Sequence, residues 1–564
     1  MLSVPSLAKY DPSRCCHDVP VNVPHECLSE EILEHPEILD EVEATQWPPA
    51  YYDNPIVRRD GRRVVPLALY LDGVPSTKRD GILGFWVYNL IARRRHLICV
   101  LRKSSLCKCG CGGWDSIYVV WRFLLWSLRA MSSGTFPNQR HDQLAWTDAD
   151  AQRASLAGTP LGFTAMLLQI KGDWLEFCTT AGFVTWSHKQ FPCMFCGAAL
   201  DQIANFIGFG PFSPTYPLMK HADYEAACCA CELTKHLTKE QWRLVKNCLA
   251  YDKTKKGSRG RALIRDLPSV GLQQGDRLEP DSTFQDVASF DNVESWPVRV
   301  TFWRRAVETR VKRRLPILQP DLGITLDTFC IDVLHCLYLG PMKDWCCAVL
   351  WAMVDYNVFG VAHANVDTRL PLTVLRIREL LWGFYNRWQE AHPGEDISRL
   401  EDLTPGMLGS SAHRNLSTKA METKCLLPFC QELLETYQGS MDGALAATYA
   451  GIGDCCSRLD AVLRAEGFVV SNDAIQSLFD IIARLLRLWG DSGLGVKPKL
   501  HMLMHLADRA KRQGNPSYYS TWVDEGLNKT LASLGRQAHR AWWELRILVS
   551  FEQVQERASK RARM

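Results

Sequence analysis

The run Val64-Val65-Pro66-Leu67-Ala68-Leu69-Tyr70-Leu71, closed by Asp72-Gly73, decides how the fold is read. A short apolar run that stops at a turn dipeptide has the composition of a buried strand. Pro66 falls near its beginning, where a missing backbone donor matters least. Two more strands are expected from Gly81 to Leu90 and from His96 to Arg102, separated by the turn Arg93-Arg94-Arg95, and three short successive strands imply an antiparallel meander. A helix fits Trp114 to Met131, and Leu161 to Ile170 reads as a fourth strand leading into Lys171-Gly172-Asp173. An aspartate is therefore expected directly after strand one and after strand four.

Outward from this stretch the character changes. Residues 1–60 are rich in proline and acidic residues, from Pro12 through Glu30, Glu31, Glu34 and Glu37 to Pro48-Pro49, without sustained periodicity, and are expected to form an irregular N-terminal arm. Residues 61–215 hold the first part of the core, and residues 216–490, with amphipathic stretches such as Leu372 to Trp388 and Ala474 to Trp489, read as a large α-helical insertion. Residues 491–550 complete the core with helices at Lys499 to Lys511 and Thr521 to Leu534. The second of these opens with a capping-box pattern, Thr521-x-x-Asp524, and carries Leu527, Leu531 and Leu534 at helical spacing. Residues 551–564 form a basic tail with Arg557, Lys560, Arg561 and Arg563, which suits a nuclear address or a frayed end.

With 564 residues, 47% of them hydrophobic and 23% charged, the chain can bury a large core. Its net charge of +3 does not by itself demand a polyanionic partner, so basic residues matter by location. The longest apolar stretches are interrupted, Ile117 to Trp126 by Arg122 and Trp345 to Val354 by Asp355, so no membrane span is expected. No basic-then-apolar leader opens the chain, which points to the cytosol or nucleus. There the 22 cysteines should be reduced, and most read as small core residues.

Asp72, Asp173 and Glu525 are the candidate catalytic residues. Three strands, a helix and a fourth strand, with carboxylates after strands one and four and another on a late helix, is the order of an RNase H-like nuclease core. The expected fold is thus an α/β RNase H-like core, a mixed five-stranded sheet with flanking helices, interrupted by the α-helical insertion. Carboxylates suit that chemistry because Mg²⁺ or Mn²⁺ takes oxygen ligands, and two such ions can stabilise the attacking and leaving oxygens of a phosphodiester displacement. Singly, each residue also has an ordinary structural explanation: a turn, a strand end, a helix N-terminus. Cys193-x-x-Cys196 lies 20 residues after Asp173, and His501 and His505 are four apart on one helix face, together a Cys2His2 zinc set. Redox dithiol chemistry is the alternative for the cysteine pair.

Cys107-x-Cys109-x-Cys111 is tighter than a usual zinc knuckle, and metal binding or packing both remain open for it. Cys228, Cys229, Cys231 and His236 read as packing on a helix. Two basic runs are candidate DNA contacts, Lys253, Lys255, Lys256, Arg259, Arg261 and Arg265 in one and Arg304, Arg305, Arg310, Lys312, Arg313 and Arg314 in the other, with solvated faces as the alternative.

Successive blocks resemble the CACTA-type transposases. They are Leu71-Asp72-Gly73, Asn89-Leu90, Gly172-Asp173-Trp174, Gly182 and Trp186 ahead of Cys193-x-x-Cys196, and Ile331-Asp332-Val333-Leu334-His335. The last is a D-x-x-H block with Leu334 where the family pattern has methionine. The split Cys2His2 set with a glutamate beyond it is also similar to the antigen-receptor recombinase of vertebrates, whose related core carries a helical insertion before its last acidic residue. The resemblance spans roughly residues 64–550. It implies metal ions at Asp72, Asp173 and Glu525, and structural zinc at Cys193, Cys196, His501 and His505. Glu525 is preferred over Asp524 because the family ends its triad with glutamate. The resemblance leaves Asp332 and His335 without an assigned role, and a helix-start carboxylate beside a core histidine is their ordinary reading.

The function implied is metal-dependent cleavage of double-stranded DNA at transposon ends followed by strand transfer, in the nucleus, by a homo-oligomer. No DNA-reading module is recognisable in the N-terminal arm, so such a module is either missing or supplied by a separate end-binding protein. The rival is a domesticated, catalytically silent descendant that binds DNA or protein. A nuclease for RNA hybrids would share the carboxylates but needs neither the split zinc set nor the insertion.

Overall fold

The computed structural model describes residues 1–7, 14–78, 80–92, 94–109, 111–188, 192–203, 216–234, 313–363, 365–395 and 397–563. The N-terminal region departs from the irregular arm that its composition suggests. β1 (Leu2–Leu7) pairs antiparallel with β2 (Arg14–Val19), and four helices follow, α1 (Pro24–Glu34), α2 (Glu37–Ala44), α3 (Pro49–Tyr52) and α4 (Pro55–Asp60). Pro24, Pro49 and Pro55 each occupy a first helical position, where the absent N–H costs nothing. The prolines thus start helices, and Leu2, Leu28, Val42 and Tyr51 are fully buried.

β3 (Val65–Pro75) pairs antiparallel with β4 (Gly81–Asn89), and β4 with β5 (His96–Arg102). The chain then crosses through α5 (Trp114–Ser133) to β6 (Ala165–Lys171), which lies parallel to β3 at its other edge, giving the order β5-β4-β3-β6. β4 is buried along its whole length, so both faces of the sheet are covered. On one face Phe85 meets Trp121 of α5, ring centroids 5.9 Å apart. On the other, Ala68, Tyr70, Ile82, Trp86 and Tyr88 pack against Leu531, Trp543, Ile547 and Phe551.

Two strand boundaries differ from expectation, and both bear on the site. β3 continues past Leu71, so Asp72 is a strand residue opposite Gly84 and not a turn residue. β6 starts at Ala165 because Gly162, at φ +85°, and the bond from Leu161 N to Gly134 O at 2.8 Å hold the preceding residues in a turn. The five-stranded sheet also needs correction: among the described residues the sheet has four strands. In the fifth position, Phe329 makes a single parallel bridge to Ile170, with Cys330 N donating to Ile170 O at 2.9 Å. A 3-10 turn at Leu326–Thr328 and a π-helical turn at Leu334–Tyr338 bracket this segment.

The chain divides into two compact units. The first comprises Met1–Glu176, Asp201–Tyr216 and Pro316–Met564 and contains the sheet. It also holds α6 up to Glu176 (α6 is Trp174–Thr180) and, in the span expected to be an insertion, the helices α8 (Pro341–Asp355), α9 (Val366–Ala391), α10 (Ala420–Tyr437), α11 (Gly443–Ala465) and α12 (Asn472–Asp491). α13 (Pro498–Gln513), α14 (Trp522–Gln537) and α15 (Trp543–Arg563) complete it, α15 extending through the expected basic tail. The second unit comprises Phe177–Leu200 and Pro217–Leu315. There α7 (His221–Thr234) buries Tyr224 and Cys228, and Tyr224 OH accepts from Leu315 N at 2.8 Å. No helix among the described residues is long and apolar enough to cross a membrane.

Candidate carboxylate site and metal centre

Three separate segments of the first unit deliver half-buried acids to one region. Asp72 comes from β3, Asp173 from the turn between β6 and α6, and Glu525 from the first turn of α14. The Asp72 carboxylate accepts from Gly73 N at 2.6 Å, from Tyr70 OH at 2.8 Å and from Asn528 Nδ2. Asp173 accepts from Glu176 N at 2.5 Å, which ties it to the start of α6. Glu525 Oε1 lies 3.6 Å from His335 Nε2. A Cβ on Gly73 would collide with Lys103 Nζ, so glycine lets that cation approach the strand beside Asp72.

Electrostatics couple these groups. Burial lifts the Asp72 carboxyl above its ordinary range, and the charge of Asp173 adds to it, against the hydrogen bonds of Tyr70 and Gly73 and the nearby His335. Burial also lifts Glu525, with the charges of Asp72, Asp332 and Asp173 adding and His335 opposing. For His335, burial disfavours the imidazolium, but the bond to Asp332 and its charge, with Asp173 and Glu525 behind it, hold the ring above its usual value. Negative charge is therefore concentrated here in excess of what the local donors neutralise.

Asp332 is the organiser of this region. It accepts from His335 Nδ1 at 2.5 Å, from Thr521 N at 2.9 Å, from Thr521 Oγ1 at 2.8 Å and from Ser520 Oγ at 3.1 Å. Burial would raise its carboxyl, yet the hydrogen bond and charge of His335, with the Thr521 bonds, hold it below the usual range. One side chain thus orients His335 and anchors the N-terminus of α14, which carries Glu525. The expected Thr521-x-x-Asp524 capping box does not form, because the Thr521 hydroxyl donates to Asp332 and Asp524 is engaged elsewhere. Asp524 is fully buried, 2.6 Å from Arg95 Nε and 2.5 Å from Lys171 Nζ, and Lys171 also donates to Tyr88 OH at 2.9 Å. The helix phase therefore separates the two neighbours: Asp524 points to buried cations and Glu525 to His335.

Lys171, Arg95, Tyr70 and Asn528 escape sequence reasoning. A signal exists for Asn528, which is one helical turn from Asp524 and on the same face. Lys171 closes a largely apolar strand and reads as its exposed end, although it is buried.

Among the described residues of the first unit, one group of three or more potential ligands has all its ligand atoms within 4.8 Å of one another. It consists of Cys107, Cys109, Cys111 and Asp115; of the expected Cys2His2 set, Cys193 and Cys196 lie in the second unit and His501 and His505 in the first, each of them buried. The group at Cys107 can hold a metal ion, and the thiols and imidazoles of the expected Cys2His2 set are donors suited to zinc in kind. Phe195 N approaches Cys193 Sγ at 3.3 Å and Ala198 N approaches Cys196 Sγ at 3.4 Å, so backbone amides face both sulfurs. The two imidazoles of α13 present Nε2 to Nε2 at 3.2 Å. Asp72, Asp173 and Glu525 are not gathered as tightly. Their oxygen donors suit a hard divalent ion in kind, but their atoms do not meet that 4.8 Å spacing.

Of the candidate DNA contacts, Lys253, Lys255, Lys256, Arg259, Arg261, Arg304, Arg305 and Lys312 lie outside the described residues, as do Arg265, Arg310 and His236. Arg313 and Arg314 are described, and Arg314 pairs with Glu225 at 2.7 Å. No protein-family model matches this chain, and no curated protein matches it.

Proposed function

We propose that this chain is a transposase-derived protein of CACTA type, with an RNase H-like core that cleaves DNA strands at transposon ends and joins them to target DNA. The observation that carries this reading is the convergence of Asp72, Asp173 and Glu525, from three distant segments, on a region where burial and mutual repulsion raise two of the three carboxyls. Such a region gains stability from an added cation. The strand order β5-β4-β3-β6, with β6 parallel to β3 and Phe329 bridged beyond it, supports an RNase H-like topology.

Divalent ions held by these carboxylates would supply the Lewis acidity that activates water and stabilises the leaving 3′-oxygen. The protein's own part is positional. β3 and α6 fix the two aspartates, and Asp332 fixes both His335 and the helix that presents Glu525. His335, held toward its protonated form, offsets the charge of Glu525 and places a proton donor beside the acids. In the first displacement water attacks phosphorus and the 3′-oxygen leaves; in the second, the freed 3′-hydroxyl attacks phosphorus of a target phosphodiester and the target strand's 3′-oxygen leaves. In this reading the Cys2His2 set expected from the sequence, Cys193, Cys196, His501 and His505, serves structural zinc. Double-stranded DNA, a second copy of the chain and a separate end-binding protein are its partners, in the nucleus.

The test is strand cleavage and strand transfer by the purified chain with Mg²⁺ or Mn²⁺, beside Asp72→Asn, Asp173→Asn and Glu525→Gln. Each variant is expected to lose about a thousandfold in rate, about 4 kcal/mol of transition-state stabilisation. Folded variants that cut at the wild-type rate would sink the assignment. One observation favours a second reading, a catalytically silent DNA-binding descendant. Asp72 is already engaged by Tyr70, Gly73 and Asn528, donors that compete with a metal for its oxygens. Salt-sensitive DNA binding without cleavage would select that reading.

A further inference from the structure

A different cluster lies where β5 gives way to α5. After β5 a 3-10 turn at Lys103–Ser105 leads to Leu106, which bridges Ser6 of β1, and then to Cys107, which is buried. The connection ends at Gly112 and Gly113, both left-handed at φ +64° and +87°, immediately before Trp114 opens the helix. That conformation suits glycine, and it reverses the chain. Gly113 N donates to Cys107 O at 3.0 Å and Trp114 N to Cys111 O at 3.3 Å, which closes the loop on itself. Cys107 N is fixed in turn by Ser116 Oγ at 2.9 Å.

The closure brings the sulfurs of Cys107, Cys109 and Cys111 and a carboxylate oxygen of Asp115 within 4.8 Å of one another. Cys109 Sγ is 3.4 Å from Asp115 Oδ2, and Asp115 N, in the first turn of α5, is 3.5 Å from Cys111 Sγ. Packing does not explain the set, because Cys109 is exposed and Cys111 half-exposed, whereas a cysteine used as a small apolar residue is buried. Three thiols and one carboxylate form a four-donor set of the kind zinc takes in tetrahedral sites, with thiolate softness selecting against Mg²⁺ and Ca²⁺.

We propose that Cys107, Cys109, Cys111 and Asp115 bind a structural zinc ion that fastens the start of α5 to the end of β5. The three thiols coordinate as thiolates and release their protons to solvent on binding. The site is independent of the carboxylate chemistry proposed above and uses none of the residues of the expected Cys2His2 set.

The experiment measures zinc per chain in purified full-length protein, wild type against Cys109→Ser/Cys111→Ser, with Cys193→Ser as reference for the other set. The double variant is expected to contain one zinc equivalent fewer than wild type, and Cys193→Ser to retain the equivalent that the double variant loses. In a second measurement, cobalt-substituted Asp115→Cys is compared with cobalt-substituted wild type, and the added thiolate is expected to intensify the sulfur-to-cobalt charge-transfer absorption. A folded double variant with wild-type zinc content overturns the proposal. So does an Asp115→Cys spectrum identical to wild type, a result that decides the matter even where the double variant fails to fold.

Discussion

Asp524 gives its oxygens to Arg95 and Lys171 in the protein interior, whereas Glu525, one residue on, keeps a half-exposed carboxyl against His335. The two predict opposite phenotypes. Asp524→Ala leaves the buried Lys171 and the partly buried Arg95 without their shared anion and is expected to cost about 3 kcal/mol in denaturant unfolding. Glu525→Gln is expected to leave unfolding within about 0.5 kcal/mol of wild type, as for other partly exposed positions. Equal destabilisation by both would contradict the assigned helix phase. The Asp332–His335 pair makes a pH-dependent prediction, best read with a chelator present. His335 is raised, so its contribution is complete below its unfolded value and fades as pH climbs through the folded one. Asp332 is depressed, so its contribution is complete above its unfolded value and fades as pH falls through the folded one. The stability gap between wild type and His335→Gln should therefore be widest between about pH 4 and pH 6.5 and should narrow on both sides. A gap that widens steadily above that window would rule the pair out as a charged one.

At the scale of elements, α14 is held to the sheet by two polar anchors and one apolar face. Asp332 receives Thr521 at the helix start, Asp524 meets Lys171 at the end of β6, and Leu531 joins the core under Trp86 and Tyr70. Lys171→Met removes one anchor but leaves Asp524 with Arg95, so a loss of about 3 kcal/mol is expected, at the low end for a broken buried pair. A neutral result would place the helix's attachment in its apolar face alone. Much of this architecture is legible in the sequence. β4, β5 and α5 fall within one or two residues of their expected bounds because long apolar runs ending at glycine or charged residues define them. The N-terminal helices are hidden because three of the four begin at a proline, which composition alone reads as disruption. The role of Asp332 is hidden for another reason. Its partners Ser520 and Thr521 lie 188 and 189 residues away, and no local pattern records such a contact.

For the whole molecule, a net charge of +3 means that the proposed DNA binding rests on local basic runs. Replacing Arg304 and Arg305 by alanine is expected to weaken binding to all sequences alike and to lower the salt slope by about 0.9 for each phosphate that is no longer neutralised. An unchanged slope in binding titrations would remove that run from the interface. Whether Asp72, Asp173 and Glu525 act as one divalent-ion site can be tested without knowledge of a DNA substrate. Mn²⁺ binding, followed by electron paramagnetic resonance on zinc-loaded protein, would compare wild type with Asp72→Asn, Asp173→Asn and Glu525→Gln. Wild type is expected to bind Mn²⁺, with affinity rising as pH climbs through the raised carboxyls of Asp72 and Glu525, and each substitution to weaken binding at least about tenfold. Wild-type protein that binds no Mn²⁺, or three variants that bind it as wild type does, would refute the shared site.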